Sequence, residues 1–332
     1  MLVMTVSRPS AAAVPAGATL TDLGEFGVLD VLAARLPQGD DVLVGPGDDA
    51  AEVRLSGDRA LVATDVLVDG RHFRRDWASA EDIGHRAAAQ SLSDINAMGG
   101  RSVAVTIGLA APADLEMAWL QQFYDGLVAE CAMVGASVVG GDLTRSDLLV
   151  VSVTAVGDCP GGPLLRGGAR AGDVVAVRGR LGWAAAGLAV LGRGFRSPRK
   201  VVEAYRRPEV PYGAGAEALA AGATSLVDVS DGLLADLGHV ARASGVHADL
   251  RRDAFALDEP LQAVGAALGV DPLGFMLTGG DDHAVVGTFP SASDVPDGWV
   301  VVGSVSEPDP DADPGVTVDG AAYDGSPGHR HF

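Results

Sequence analysis

Residues 101–141 read RSVAVTIGLAAPADLEMAWLQQFYDGLVAECAMVGASVVGG. The first ten form a short apolar run rich in β-branched side chains. ADLEMAWLQQFYDGLVAECAMVG (113–135) then carries apolar residues at helical intervals, and ASVVGG (136–141) is apolar again and closes on two glycines. A strand, a long helix and a second strand in that order predict a layered domain in which a helix covers a sheet.

The same alternation extends outward. DVLVG (41–45) and RALVAT (59–64) read as strands before this stretch and LLVVSVTAVGD (148–158) as a strand after it, while SAEDIGHRAAAQSLSDINAM (79–98) reads as a second long helix. Asp22 and Glu25 have the spacing of a capping box for a first helix reaching Leu36. An α/β or α+β domain is therefore predicted over residues 21–157. CPGGPLLRGGARAG (159–172) is dense in Gly and Pro and reads as a crossing loop into a second domain over 158–332. That domain has predicted strands at DVVAVRG, TSLVDVS, HAVVGTF and WVVVGSV, and helices near Trp183–Leu191, Leu233–Ser244 and Pro260–Leu268. Residues 1–20 lack a charged start followed by a continuous apolar stretch, so they read as a mobile tail and not as a signal peptide or membrane span.

Composition excludes several classes of function. A net charge of −20 argues against nucleic acid and anionic membranes, because a polyanion would gain too little from counterion release. Hydrophobic residues at 48% and charged residues at 20% exclude a wholly disordered chain. Two cysteines, Cys131 and Cys159, make neither a disulfide framework nor a thiolate zinc site, and point to a reduced, cytoplasmic chain. Lys200 is the only lysine and stands in SPRKVV, outside any P-loop or kinase strand, so if the protein handles ATP it does so without a phosphate lysine.

Aspartates recur where apolar strands end: Asp48 and Asp49 in VLVGPGDDA, Asp65 in LVATD, Asp142 in SVVGGD, and Asp228 and Asp231 in SLVDVSD. Ligands of open α/β sheets gather at the carboxyl ends of strands, so these carboxylates are expected to meet in one crevice. Asp is also an ordinary turn residue, and only the repetition favours a site. Asp94 lies eleven positions after Ile83, which at roughly 100° per residue returns it to the same helix face. A carboxylate on an apolar face needs a metal ion or an arginine, unless it sits hydrated at a frayed helix end. Hard oxygen donors without Cys or His pairs select Mg²⁺, which bridges carboxylates to phosphate oxygens. Metal-dependent phosphoryl transfer is the predicted chemistry. GPGDDA, GGD (140–142) and TGGDD (278–282) offer backbone N–H groups for phosphate. GPGDDA also satisfies G-x-G-x-x-A, but AEVRL runs into a turn where a dinucleotide site needs a helix.

GPGDDAA, ATDVLVDGRHF, SLSDINAMGG, VVGGDLTRS, LVDVSDGLLADLGHVARAS and LTGGDDH, in this order and at these separations, closely resemble the thiamine-monophosphate kinases. These belong to the superfamily of aminoimidazole ribonucleotide synthetase and selenophosphate synthetase. The resemblance runs from about Thr21 to Phe332. It implies that superfamily's two-domain fold, a homodimer whose amino-terminal sheets pair, and direct in-line transfer of the ATP γ-phosphoryl to thiamine monophosphate with several Mg²⁺ ions. Asp49, Asp65, Asp94, Asp142, Asp228 and Asp231 match metal-binding aspartates, with Asp48 beside them, and Ala63 and Thr64 match further metal-binding positions. Gly141, Asp142, Arg166 and Ser230 match nucleotide contacts, and His72 a substrate contact. No nucleophilic side chain is required.

Two departures stand out. The family's G-G-E-D-Y-E is GGDDHAV here, so Asp281 replaces a substrate-contacting glutamate and His283 and Ala284 replace Tyr and Glu. Near the end, Ser326 stands where an aromatic thiamine contact is usual, with Tyr323 and His329 as substitutes. Competing readings are another ATP-dependent synthetase of the superfamily, or a nucleotide and Mg²⁺ sensor without turnover. Selenophosphate synthesis would call for an early reactive cysteine and a lysine partner, and the first cysteine is Cys131.

Overall fold

The structure is a computed structural model that describes residues 14–47, 50–309 and 313–329. The chain folds into two compact units. The first takes the stretches up to Leu55, Val62–Ser91 and Ser102–Val156; the second takes Ser56–Leu61, Leu92–Arg101 and the chain from Gly157 onward.

The first unit contains helix α1 (Leu20–Ala33), a two-stranded ribbon of β1 (Val42–Val44) and β2 (Glu52–Val53), then β3 (Leu61–Val68), α2 (Ala80–Ala97), β4 (Arg101–Ala111), α3 (Met117–Met133), β5 (Ser137–Arg145) and β6 (Val150–Asp158). Its four-stranded sheet runs β3-β6-β4-β5, with β4 and β5 parallel, as the strand–helix–strand stretch requires. The end of α2 from Leu92 onward and the outermost residues of β3, β4 and β6 belong to the second unit.

The cap of α1 lies one turn earlier than predicted. Thr19 is the N-cap: its backbone N–H donates to Asp22 Oδ2 at 2.9 Å, and its hydroxyl accepts from the Asp22 N–H. Thr19 answers the Asp22 N–H and Asp22 answers the Thr19 N–H, so the reciprocal capping-box pair forms three residues before the predicted one. Ala18 and Leu20 are buried, so the end of the predicted tail is part of the fold, whereas residues 1–13 lie outside the described residues.

The second unit contains β7 (Val174–Arg178), α4 (Trp183–Gly192), α5 (Arg199–Arg206), α6 (Ala214–Ala220), β8 (Ser225–Val229), α7 (Leu233–Ser244), β9 (His247–Leu250), α8 (Glu259–Leu268), α9 (Leu273–Thr278), β10 (Ala284–Phe289), β11 (Val300–Ser306) and β12 (Val316–Val318). Its six-stranded sheet runs β12-β9-β11-β7-β10-β8 and is antiparallel except between β12 and β9. Leu226, Val285, Phe289 and Trp299 pack with Ala214 and Ala218 of α6 in its core, Phe289 meeting Trp299 edge to face at 5.4 Å. α5, α6, α9, β9 and β12 are not among the predicted elements; all are short, and their order comes from this sheet and not from their own periodicity.

This topology corrects the placement of the aspartates. β3 runs on past Asp65 to Val68, β5 past Asp142 to Arg145, and β8 includes Asp228. They stand within strands, not after them. In β3 and β5 half-solvated positions tolerate a carboxylate without ending the ladder. β8 is buried along its whole length and lies at an antiparallel edge, so the rule for carboxyl ends of parallel strands does not apply to Asp228. No helix among the described residues is long and apolar enough to cross a membrane.

Candidate active site

Asp228 sits on a strand with no solvent-facing side, and its charge must be answered locally. Ser93 Oγ donates to Asp228 Oδ2 at 3.1 Å, and His283 Nδ1 lies 3.3 Å from the same oxygen and 3.2 Å from Ser93 Oγ. After β8 the chain turns through Ser230, Asp231 and Gly232 into α7. Asp236, in the first turn of α7, accepts the N–H groups of Asp231 and Gly232, both at 3.0 Å, and so caps its own helix.

The carboxyl of Asp236 is pushed up to about 7, first by burial and then by the negative charge of Asp228, with Asp231 adding to it. Its bonds from the Asp231 and Gly232 N–H groups act the other way. Asp228 and Asp231 thus both act on Asp236, and among the described residues no Lys or Arg forms an ion pair with any of the three. Such a patch of hard oxygen donors suits a hard divalent cation. Among the described residues no three His, Cys, Asp or Glu side chains group closely enough to cage a metal by themselves.

The loop from Thr278 to His283 is laid against this turn. Asp281 N–H donates to Ser230 O at 2.9 Å and His283 N–H to Val229 O at 3.2 Å. Asp281 (φ 67°) and His283 (φ 52°) both adopt the left-handed region, a strained state for side chains bearing Cβ that tertiary contacts must hold in place. Between them Asp282 is buried. Its Oδ1 accepts the Ala184 N–H at the start of α4 at 2.9 Å, and Oδ2 has no protein hydrogen-bond partner. Burial pushes this carboxyl up to about 7, against the opposing effects of that bond and of Arg180.

In the first unit, Ser91 Oγ lies 2.7 Å from Asp65 Oδ2 and 3.0 Å from the carbonyl of Val153. Ala63 and Thr64 precede Asp65 on β3, and the Thr64 hydroxyl meets that of Thr154. Asp142 is exposed on β5. Gly141 beside it has a packing reason to be glycine, since a Cβ there would lie 2.1 Å from the carbonyl oxygen of Ile107. His72 Nδ1 accepts the Val68 N–H at 3.0 Å, so that nitrogen closes a turn. Asp94 is half-buried near the end of α2. Asp48 and Asp49 lie outside the described residues.

Arg166 opens an exposed 3-10 turn, Arg166–Gly168, whose first carbonyl accepts the Ser244 hydroxyl at 2.9 Å. Burial, then the charges of Arg242 and Arg166, lower the pKa of His239 against the opposing charge of Asp231, and Arg242 Nη2 lies 3.3 Å from His239 Nδ1. A cleft of about 650 Å³ is lined by Asp231, His239, Arg242, Tyr323 and His329, among others. The His329 N–H donates to Asp231 O at 2.9 Å. Ser326 is exposed, donates to Gly328 O at 2.6 Å and does not line this cleft.

Neither cysteine is poised to react: burial pushes the Cys131 thiol up to about 12 and also raises that of Cys159. Sequence reasoning missed Ser91, Ser93, Asp236 and Asp282 and read His283 only as a departure. Asp236 carried a signal, an acidic residue in the first turn of the helix predicted from Leu233. Ser91 and Ser93 carried none, because a serine inside a helical pattern declares no partner.

The fold and these loops define a class that the comparisons name. Residues 47–159 match the family model described as AIR synthase related protein, N-terminal domain, and residues 170–290 match the corresponding C-terminal domain. A thiamine-monophosphate kinase of Mycobacterium tuberculosis is 46% identical over 316 residues, covering 95% of this chain and 93% of its own. The crystal structure of thiamine-monophosphate kinase from Stenotrophomonas maltophilia superposes with a TM-score of 0.75 at 33% identity, over 86% of this chain and 93% of that one. The structure of AaThiL complexed with AMPPCP and TMP superposes with a TM-score of 0.75 at 31% identity, over 96% and 100%. The chain belongs to the thiamine-monophosphate kinase family.

Proposed function

We propose that the protein transfers the γ-phosphoryl group of ATP to the phosphate of thiamine monophosphate, forming thiamine diphosphate and ADP. The observation that carries this reading is the 46% identity to a thiamine-monophosphate kinase over nearly the full length of both chains. The likeness to AaThiL, whose structure holds AMPPCP and TMP, supports an ATP-type nucleotide and a thiamine monophosphate acceptor. The lone lysine lies outside any phosphate-binding motif, which favours charge neutralisation by other means.

Asp65, Asp94, Asp142, Asp228 and Asp231, together with Asp48 and Asp49, are proposed to hold Mg²⁺, with Ala63 and Thr64 contributing further oxygens. Bound Mg²⁺ would neutralise phosphate charge and orient the attacking and leaving oxygens. Gly141, Asp142, Arg166 and Ser230 are assigned to the nucleotide, and His72, Asp281 and Ser326 to the acceptor. Tyr323 and His329, the substitutes for Ser326, line the cleft beside Asp231. Direct transfer needs no covalent intermediate, in keeping with two unreactive thiols. We further propose a cytoplasmic homodimer. Exposed Val62 and Val66 on the edge strand β3, and exposed Phe26 and Leu29 on α1, support a self-association surface.

Purified protein with ATP, Mg²⁺ and thiamine monophosphate should yield thiamine diphosphate, measured by chromatography, and excess chelator should stop it. Nucleotide binding without product would favour a sensor and overturn the assignment.

A further inference from the structure

His283 occupies the position where the family pattern has tyrosine, and the Ser93–Asp228–His283 triangle is closed and buried: the three side chains stand within 3.1–3.3 Å of one another in the second unit. We propose that His283, together with Ser93, is a positioning residue that fixes the Asp228 carboxylate for its cation. This rests on the metal-dependent reading above.

Both neighbours engage the same oxygen, Oδ2, while Oδ1 has no protein hydrogen bond among the described residues. A carboxylate held by one oxygen has its rotation about χ2 set and presents the other in a fixed direction. Hydrogen-bonded partners behind a metal-ligating side chain orient it and tune its basicity in this way. With the Ser93 hydroxyl donating to Oδ2, the consistent tautomer has His283 Nδ1–H donating there as well.

The backbone supports the assignment. His283 reaches Asp228 while held at φ 52°, with its N–H on the Val229 carbonyl immediately after Asp228. A residue with positive φ fixed beside a buried carboxylate, one step before the strand that pairs with it, is the kind of backbone outlier that marks a functional contact. A buried imidazole serving only as filler would not need both a hydroxyl and a carboxylate within reach of one nitrogen.

The test uses the full-length protein and Mn²⁺ as a paramagnetic substitute for Mg²⁺, with binding read by the loss of the free-ion resonance in the presence of AMPPCP. His283→Phe removes the donor and keeps a ring. His283→Asn returns an amide N–H near the position of Nδ1, and Ser93→Ala removes the second donor. Mn²⁺ affinity should fall about tenfold in His283→Phe, less in Ser93→Ala, and recover most of the loss in His283→Asn. Turnover at saturating Mg²⁺ should recover more than turnover at limiting Mg²⁺, with KM for thiamine monophosphate little changed. Wild-type Mn²⁺ affinity in a folded His283→Phe variant overturns the proposal. So does an equal loss in His283→Phe and His283→Asn, which would mean that only packing matters. If the wild-type protein itself takes up no Mn²⁺, the metal-dependent reading fails, and the inference with it.

Discussion

Gly280 lies so close to the Ser230 carbonyl oxygen that a Cβ on residue 280 would stand 2.0 Å from it. The glycine-rich loop and the aspartate turn after β8 are thus pressed backbone to backbone, with the Asp281 N–H donating to the same carbonyl. Gly280→Ala must push the two apart. An overpacked contact of this kind costs roughly 1–3 kcal/mol, and thermal unfolding should show it. Thiamine diphosphate formation should fall further than the loss of folded protein explains, because Ser230 and Asp231 move with the turn.

Asp228→Asn keeps the shape of the side chain and removes its charge. The buried strand should tolerate it, with unfolding little changed, while turnover falls at least a hundredfold at millimolar Mg²⁺, an effect on the order of 3 kcal/mol. Steady-state rates with a melting control decide the matter. Near wild-type turnover would remove Asp228 from the proposed metal set.

Asp282 predicts a pH dependence of stability. Its folded-state value of about 7 lies above the ordinary 3.8. The native state therefore keeps a proton that the unfolded chain releases, and stability from this group falls as pH rises from about 4 to about 7. Asp282→Asn can still accept the Ala184 N–H and has no proton to lose. Denaturant titrations at pH 5 and pH 8 should show the variant gaining on wild type at the higher pH, by about 2–4 kcal/mol at most. A constant difference between the two proteins would reject the buried neutral carboxyl.

Asp236→Ala leaves the Asp231 and Gly232 N–H groups at the start of α7 without their acceptor. Loss of a cap costs about 1–2 kcal/mol, and it loosens the turn that carries Asp231. Hydrogen exchange at residues 231–233 should quicken selectively, with protection in β10 unchanged.

Phe289→Ala tests the second unit's core. The ring is fully buried and packs edge to face on Trp299. A loss of about 3–5 kcal/mol is expected, read from denaturant unfolding monitored by Trp fluorescence.

Much of this protein was legible in its sequence. The long amphipathic helices α2 and α3 and the apolar strands around them declare themselves, because period and length survive any tertiary context. The aspartates Asp65, Asp142, Asp228 and Asp231 were recognisable from their motifs and from the near absence of lysine. What each aspartate does in its strand was not legible. Asp65, Asp142 and Asp228 were expected to end strands, yet the backbone continues through them, since ladder pairing with neighbours outweighs the turn preference of a single residue. The partners decide the rest: Ser93 and His283 are 190 positions apart and meet on one oxygen of Asp228. Local composition settles which chemistry the chain carries. Which serine or histidine holds a given carboxylate depends on contacts between distant segments, and only folding creates them.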